Sequence, residues 1–235
     1  MTSEDKATAI NIQRIWYENL FSREISSINT YVSSRVKGDI SIKRLNRNED
    51  KTLVLIDRES PTDACKRLYR SGDSTRYTIL NPTLFDMNNL SQIDYDLAIN
   101  SYYSVVVEEF GLDTGEEYRY DTNMPVFLGK DINYNPMAVD ILSYKAYDAA
   151  NPSIEDMLSR MECSFMQPAR FDTDCLIISD WPGTTAGQIL RQMASHWCAI
   201  INKYNHAYKE IHFAISDLGQ YNVFRDTFYA SGTVV

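Results

Sequence analysis

Between Ser179 and Gly187 the chain reads Ser-Asp-Trp-Pro-Gly-Thr-Thr-Ala-Gly, a loop in which Gly183 and Gly187 let backbone N–H groups come close to a ligand. Before it lies a continuous apolar run, Cys175-Leu176-Ile177-Ile178, of the kind that forms a strand covered on both faces. After it, Ile189, Leu190, Met193, Trp197, Ile200, Ile201 and Tyr204 recur at helical spacing. Strand, glycine-bearing loop and helix in this order make an anion site, because loop amides and the positive end of the helix dipole converge on one point. Gly183, Thr184, Thr185, Ala186 and Gly187 are therefore the candidate phosphate-binding residues. The plainer reading is an ordinary loop with Thr184 or Thr185 as N-cap. A second buried strand, Glu210 to Asp217, is expected beside the first after a right-handed crossover.

Other chemistry is weaker. Cys65, Cys163, Cys175 and Cys198 stand far apart with no CxxC pair, which argues against structural zinc and for small core residues in a reducing, intracellular compartment. His196, His206 and His212 share no metal spacing and read as solvated or core histidines. Ser195 next to His196 lacks a nucleophile-elbow motif. No metal and no cofactor is expected. The net charge of −9 and pI near 4.8 repel phosphate on average, so general affinity for nucleic acid or anionic lipid is not expected and a phosphate ligand must be held locally. The sequence has neither an N-terminal signal pattern nor an apolar run of membrane-spanning length.

These residues need a scaffold, and the 235-residue chain, 44% hydrophobic and 23% charged, has enough apolar content for a packed core. Glu4 to Val36 reads as one or two amphipathic helices, a flank over 1–36 ahead of a domain over 37–235. An exposed stripe there including Trp16, Tyr17 and Phe21 would suit a protein partner. Asp39–Arg44, Lys51–Ile56, Arg76–Leu80 and Ala138–Tyr144 read as strands. Asn123–Leu128 reads as an edge segment. Ser60 followed by Pro61 marks a short helix start, and helices are expected over Asp94–Phe110 and Pro152–Met161. The alternation predicts an α/β fold with a mixed sheet between helices.

Four ordered segments resemble the microbial-type poly(ADP-ribose) glycohydrolases, a branch of the macro-domain fold. They are Ser60-Pro61-Thr62-Asp63-Ala64-Cys65-Lys66-Arg67-Leu68; Tyr77-Thr78-Ile79-Leu80-Asn81; Met124-Pro125-Val126-Phe127 with Val139-Asp140-Ile141-Leu142-Ser143-Tyr144-Lys145-Ala146; and the terminal unit from Asp180 through His212-Phe213-Ala214-Ile215-Ser216-Asp217 to Tyr221-Asn222-Val223-Phe224. The terminal loop is similar to the family's Trp-Gly-Cys-Gly-Ala-Phe-Gly-Asn. Coverage runs from about Lys37 to Phe228. The resemblance implies a macro-domain-like three-layer α/β/α sandwich with an N-terminal helical flank. It further implies that Asn81 contacts a ligand ribose, that Tyr221 or Phe224 flanks a ring, and that the ligand is an ADP-ribose-type nucleotide or an ADP-ribosylated protein.

The departures bear on catalysis. Family hydrolases carry Gly-Gly-Gly followed shortly by Gln-Glu-Glu, whereas Pro82 to Leu97 contains no glycine and offers only Asp94-Tyr95-Asp96 near the expected acid. Without the glycines the diphosphate groove should narrow. Aspartate is one methylene shorter than glutamate, and a roughly 1 Å displacement costs on the order of 10²-fold in rate. Three functions follow: a nucleotide-binding module whose hydrolase activity has decayed, which is preferred; an active ADP-ribosyl glycohydrolase using Asp94 or Asp96; or a structural or protein-interaction protein that kept the fold alone.

Overall fold

The computed structural model describes residues 8, 11, 28–33, 47–69, 74–83, 96–98, 100–101, 117–126, 137–146, 153–181 and 187–233. In chain order these hold β1 (Asn29–Ser33), β2 (Leu53–Asp57), α1 (Pro61–Leu68), β3 (Tyr77–Asn81), β4 (Tyr118–Val126), β5 (Met137–Tyr144), α2 (Ile154–Met166) with a 3₁₀ turn (Gln167–Phe171), β6 (Cys175–Ser179), α3 (Gly187–Lys203), β7 (Glu210–Ala214) and α4 (Leu218–Ser231). Seven strands form one sheet in the order β1-β4-β5-β3-β6-β7-β2. The five strands from β5 to β2 run parallel, while β4 is antiparallel to both its neighbours.

Both faces of the sheet's centre are covered, as the unbroken apolar character of β6 requires: all five of its residues are buried. One face, with Leu80, Leu142, Leu176, Ile178, Ile211 and Phe213, packs against α2, α3 and α4. The other carries Ile79, Ile141, Cys175, Ile177 and His212, and α1 lies over β6 and β7 there. The expected α/β class and mixed, helix-covered sheet are thus present. Helix α3 buries Leu190, Met193, Ala194, Trp197, Cys198, Ile200 and Ile201, a stripe at i, i+3 and i+4 spacing in which each large side chain contributes roughly 1.5–3 kcal/mol. Helix α1 starts as its sequence dictates, with the Ser60 hydroxyl accepting from the Asp63 N–H at 3.2 Å and Pro61 in the first turn.

Several elements differ from the sequence reading. Within the stretch expected to be helical, Asn29–Ser33 is a strand paired with β4. The expected edge segment near Asn123 is the end of a nine-residue strand lying inside the sheet, between β1 and β5. Pro125 obscured it, since proline usually marks edges. The irregularity that accommodates it is local: register shifts between Asp121 and Met124, and Asn123 adopts φ 55° while donating its N–H to Asp140 Oδ1 at 3.0 Å. Of the helix expected over 94–110, residues 96–98 and 100 are helical and Ser101 bridges Val126. Asp39–Arg44, Trp16, Tyr17 and Phe21 lie outside the described residues. No helix among the described residues is long and apolar enough to cross a membrane.

Candidate ligand-binding edge

In a parallel sheet ligands settle beyond the carboxyl ends of the strands, where successive connections leave in opposite directions. Strand β3 is that place here. The chain leaves it toward β4 and β5 on one side, and leaves the adjacent β6 toward β7 on the other. The register pairs Leu80 with Ile178, so Asn81 and Ser179 end the two strands side by side, and the Ser179 hydroxyl donates to the Leu80 carbonyl at 2.7 Å.

Asn81 is fully buried at this edge. Its Oδ1 accepts from the Thr83 hydroxyl at 2.9 Å, and its Nδ2 lies 3.4 Å from Ser143 Oγ at the matching position of β5. The side chain is thereby oriented by two neighbours, which is what a positioned ligand contact requires.

The loop after β6 is fastened at its start. Asp180 Oδ2 accepts from the N–H of Ser216 at 3.1 Å and from its hydroxyl, and Oδ1 accepts from the Asp217 N–H at 3.3 Å. Burial pushes the Asp180 carboxyl above its ordinary range, and these donors pull it back. Asp217 caps α4 through the Gln220 N–H at 2.8 Å. Gln220 in turn grips the backbone of Trp181 at both ends: its Oε1 accepts from Trp181 N–H at 2.9 Å, and its Nε2 donates to Trp181 carbonyl at 2.8 Å. The Trp181 ring points into the core, with Tyr144 at 5.9 Å and Trp197 at 6.4 Å between centroids. Gly183, Thr184, Thr185 and Ala186 lie outside the described residues. Gly187 opens the 17-residue α3, exposed, with nothing within 4 Å of where a Cβ would stand.

The remaining candidates separate. Asp94 lies outside the described residues. Asp96 sits against α1: its Oδ1 accepts from the Thr62 hydroxyl at 2.9 Å and from Asn100 Nδ2 at 3.0 Å, and its Oδ2 from the Thr62 N–H at 3.2 Å. Burial raises its pKa, opposed by the Thr62 donors. Tyr221 and Phe224 belong to α4. Tyr221 is half-buried with the Arg225 guanidinium 5.6 Å over its ring. Phe224 is buried in the core, 5.8 Å from Phe213 and 6.1 Å from Phe228 between centroids.

Sequence reasoning missed Ser179, Asp180 and Gln220, which hold the edge together. A signal existed for Asp217 and Gln220, spaced as N-cap and third helical residue, but the clamp on Trp181 joins residues 39 positions apart. Together the oriented Asn81 amide, the fastened loop entry and the exposed helix start form an edge suited to an anionic, hydroxyl-bearing ligand.

No family model and no curated relative matches the chain. Solved structures do. A poly(ADP-ribose) glycohydrolase from Thermomonospora curvata superposes with a TM-score of 0.70 at 14% identity, covering 96% of this chain and 100% of that one. The same enzyme bound to the inhibitor ADP-HPD gives a TM-score of 0.65 at 14% identity over 96% and 100%. The Deinococcus radiodurans glycohydrolase in complex with ADP-ribose gives 0.66 at 16% identity, over 89% of this chain and 97% of its own. This chain has, in divergent form, the macro-type fold of the microbial poly(ADP-ribose) glycohydrolases.

Proposed function

We propose that this protein binds an ADP-ribose-type nucleotide, free or on a modified protein, at the carboxyl edge of β3 and β6, and that it no longer hydrolyses it. The observation that carries the reading is the pairing of buried, oriented Asn81 with a neighbouring loop whose entry is clamped through Trp181 and whose exit is the start of α3. Similarity in fold to a glycohydrolase solved with ADP-ribose supports the ligand class. The pyrophosphate would accept N–H donors from 183–187 and the start of α3, with Asn81 on the ribose and Tyr221 at the rim. Loss of catalysis rests on two features. Glycines are missing from 82–97, and both Asp96 oxygens already serve Thr62 and Asn100.

One observation favours an active glycohydrolase instead: burial raises the Asp96 pKa, the property a general acid needs. Calorimetric titration with ADP-ribose, with AMP as control, followed by a release assay on ADP-ribosylated protein, separates the readings. Saturable binding without release is expected. Release that disappears in Asp96→Asn would establish the active enzyme, and no binding at millimolar ligand would leave a protein that kept the fold without the ligand. Gly187→Val tests the site: the space around its Cβ is open, so folding should persist while affinity falls about 10-fold or more through lost backbone approach.

A further inference from the structure

A second constellation lies beneath α1, on the face of the sheet that carries Ile177 and His212. Cys175 is the first residue of β6, and the register places it directly beside Glu210, the first residue of β7. His212 is two residues further along β7, so its side chain emerges on the same face as that of Glu210. Cys175 Sγ, a Glu210 carboxylate oxygen and a His212 ring nitrogen all lie within 4.8 Å of one another. From the sequence these histidines and cysteines share no metal spacing, because the strands that join them are separated by the whole of α3.

We infer that Cys175, Glu210 and His212 form a binding site for a zinc-class divalent cation, independent of the nucleotide edge. One thiolate, one imidazole and one carboxylate are the donor types that such an ion takes, and tetrahedral zinc holds them roughly 3 to 4 Å apart with a fourth position open. Here Nε2 and Oε2 are already 2.9 Å apart. Glu210 is partly exposed, so its carboxylate can rotate inward and solvent can reach the fourth position. Cys175 and His212 are 1% exposed and fixed by the sheet. The surrounding charge is favourable: Asp57, Glu59 and Glu210 set three carboxylates against the single guanidinium of Arg67. Ser179 ends β6 four residues beyond Cys175, about 13 Å away at strand rise, which keeps this site apart from the ligand edge.

The metal-free arrangement defines the proton balance. A guanidinium only donates, so the 3.5 Å contact of Arg67 Nη2 with His212 Nδ1 makes Nδ1 the acceptor and leaves the ring proton on Nε2, facing Glu210. Metal binding at Nε2 moves that proton to Nδ1, and the Cys175 thiol gives up its own. One proton is released per ion bound. Arg67 then faces an N–H and must turn away, so it opposes the metal.

The test is titration of the untagged full chain with Co²⁺, read as thiolate-to-cobalt charge-transfer absorption, with Zn²⁺ as competitor. A stoichiometric band that Zn²⁺ bleaches is expected, absent in Cys175→Ser and about 10-fold or more weaker in Glu210→Gln. Arg67→Met should tighten binding, an effect that a purely structural hydrogen-bond cluster would not produce. Glu210 is partly exposed, so Glu210→Gln reads the site even if Cys175→Ser fails to fold. No thiolate band at millimolar Co²⁺, a band retained in Cys175→Ser, or affinity unchanged in Glu210→Gln overturns the assignment.

Discussion

The two halves of the sheet that meet at β3 are held together by different physics. On the β6–β7 side, Trp197 lies at the centre of an apolar cluster, with Phe213 at 5.9 Å, Phe165 at 6.3 Å and Trp181 at 6.4 Å between centroids. On the β4–β5 side apolar packing, with Leu142 and Tyr144 in the same core, is joined by a buried polar network. Asp140, 3% exposed in its side chain, accepts from Arg76 Nε and the Tyr120 hydroxyl at 2.8 Å each and from the Asn123 N–H. The Tyr120 hydroxyl also meets Thr78 Oγ1 at 2.9 Å, and Thr78 meets Thr173 at 2.7 Å. Arg119 and Asp121 form a further buried ion pair at 2.9 Å, to which Thr30 donates. Apolar packing tolerates imprecision in direction, whereas a polar network must satisfy each donor and acceptor. The candidate ligand edge lies on the seam between them, so its amide and loop are backed by a rigid core on one side and a directional network on the other.

The sharpest way to break this contrast is Trp197→Ala, which should cost about 3–5 kcal/mol in urea-induced unfolding by leaving a cavity among the rings of Phe165, Trp181 and Phe213; a loss near 1 kcal/mol would mean that the aromatic cluster is not the keystone of its half. Next is Asp140→Ala. It removes the shared acceptor of Arg76, Tyr120 and Asn123, and about 2–3 kcal/mol is expected from the buried donors it strands. Tyr120→Phe keeps the ring stacked on Phe171 at 3.9 Å between centroids and should cost about 1 kcal/mol. In the double variant with Asp140→Ala the two losses should fall short of their sum, because both changes break one hydrogen bond. Additive losses would show that the hydroxyl and the carboxylate act separately.

The smallest effect belongs to the surface of the apolar half. Partial burial would raise the Glu162 pKa, but hydrogen bonds from Lys203 at 2.7 Å and Tyr204 at 3.0 Å lower it below the ordinary glutamate range. A carboxylate with a depressed folded pKa contributes stability that is present above its unfolded pKa and lost as pH falls through the folded value. Glu162→Gln should therefore lose under about 1 kcal/mol at neutral pH, and the gap from the unmodified chain should close in acid. A gap that widened as pH fell would reverse the sign and reject the assignment.

The terminal half could be read from one dimension because its signals are local. Cys175–Ile178 is a continuous apolar run, α3 shows its periodicity within 17 residues, and β7 places Ile211 and Phe213 at alternate positions; strand and helical spacing need no knowledge of partners. The same holds for α1, whose cap and proline sit next to the residues they act on. The chain order of Asn81 ahead of the glycine-bearing loop was likewise visible, and with it the position of the candidate edge.

Tertiary structure alone decided the rest, because the missing terms act between residues remote in sequence. Strand β4 carries Arg119, Asp121 and Pro125, which look like surface or edge residues until β1 and β5 close around them and supply partners. Phe224 became core when the last segment coiled into α4 and turned that ring onto Phe213. Gln220 became the clamp on Trp181 only through the β7–α4 turn. Cys175 and His212, 37 residues apart, became neighbours through the parallel pairing of β6 with β7. Apolar burial depends chiefly on each residue's own surface and leaves a periodic trace, whereas a hydrogen bond or an ion pair exists only when the fold delivers both partners in register.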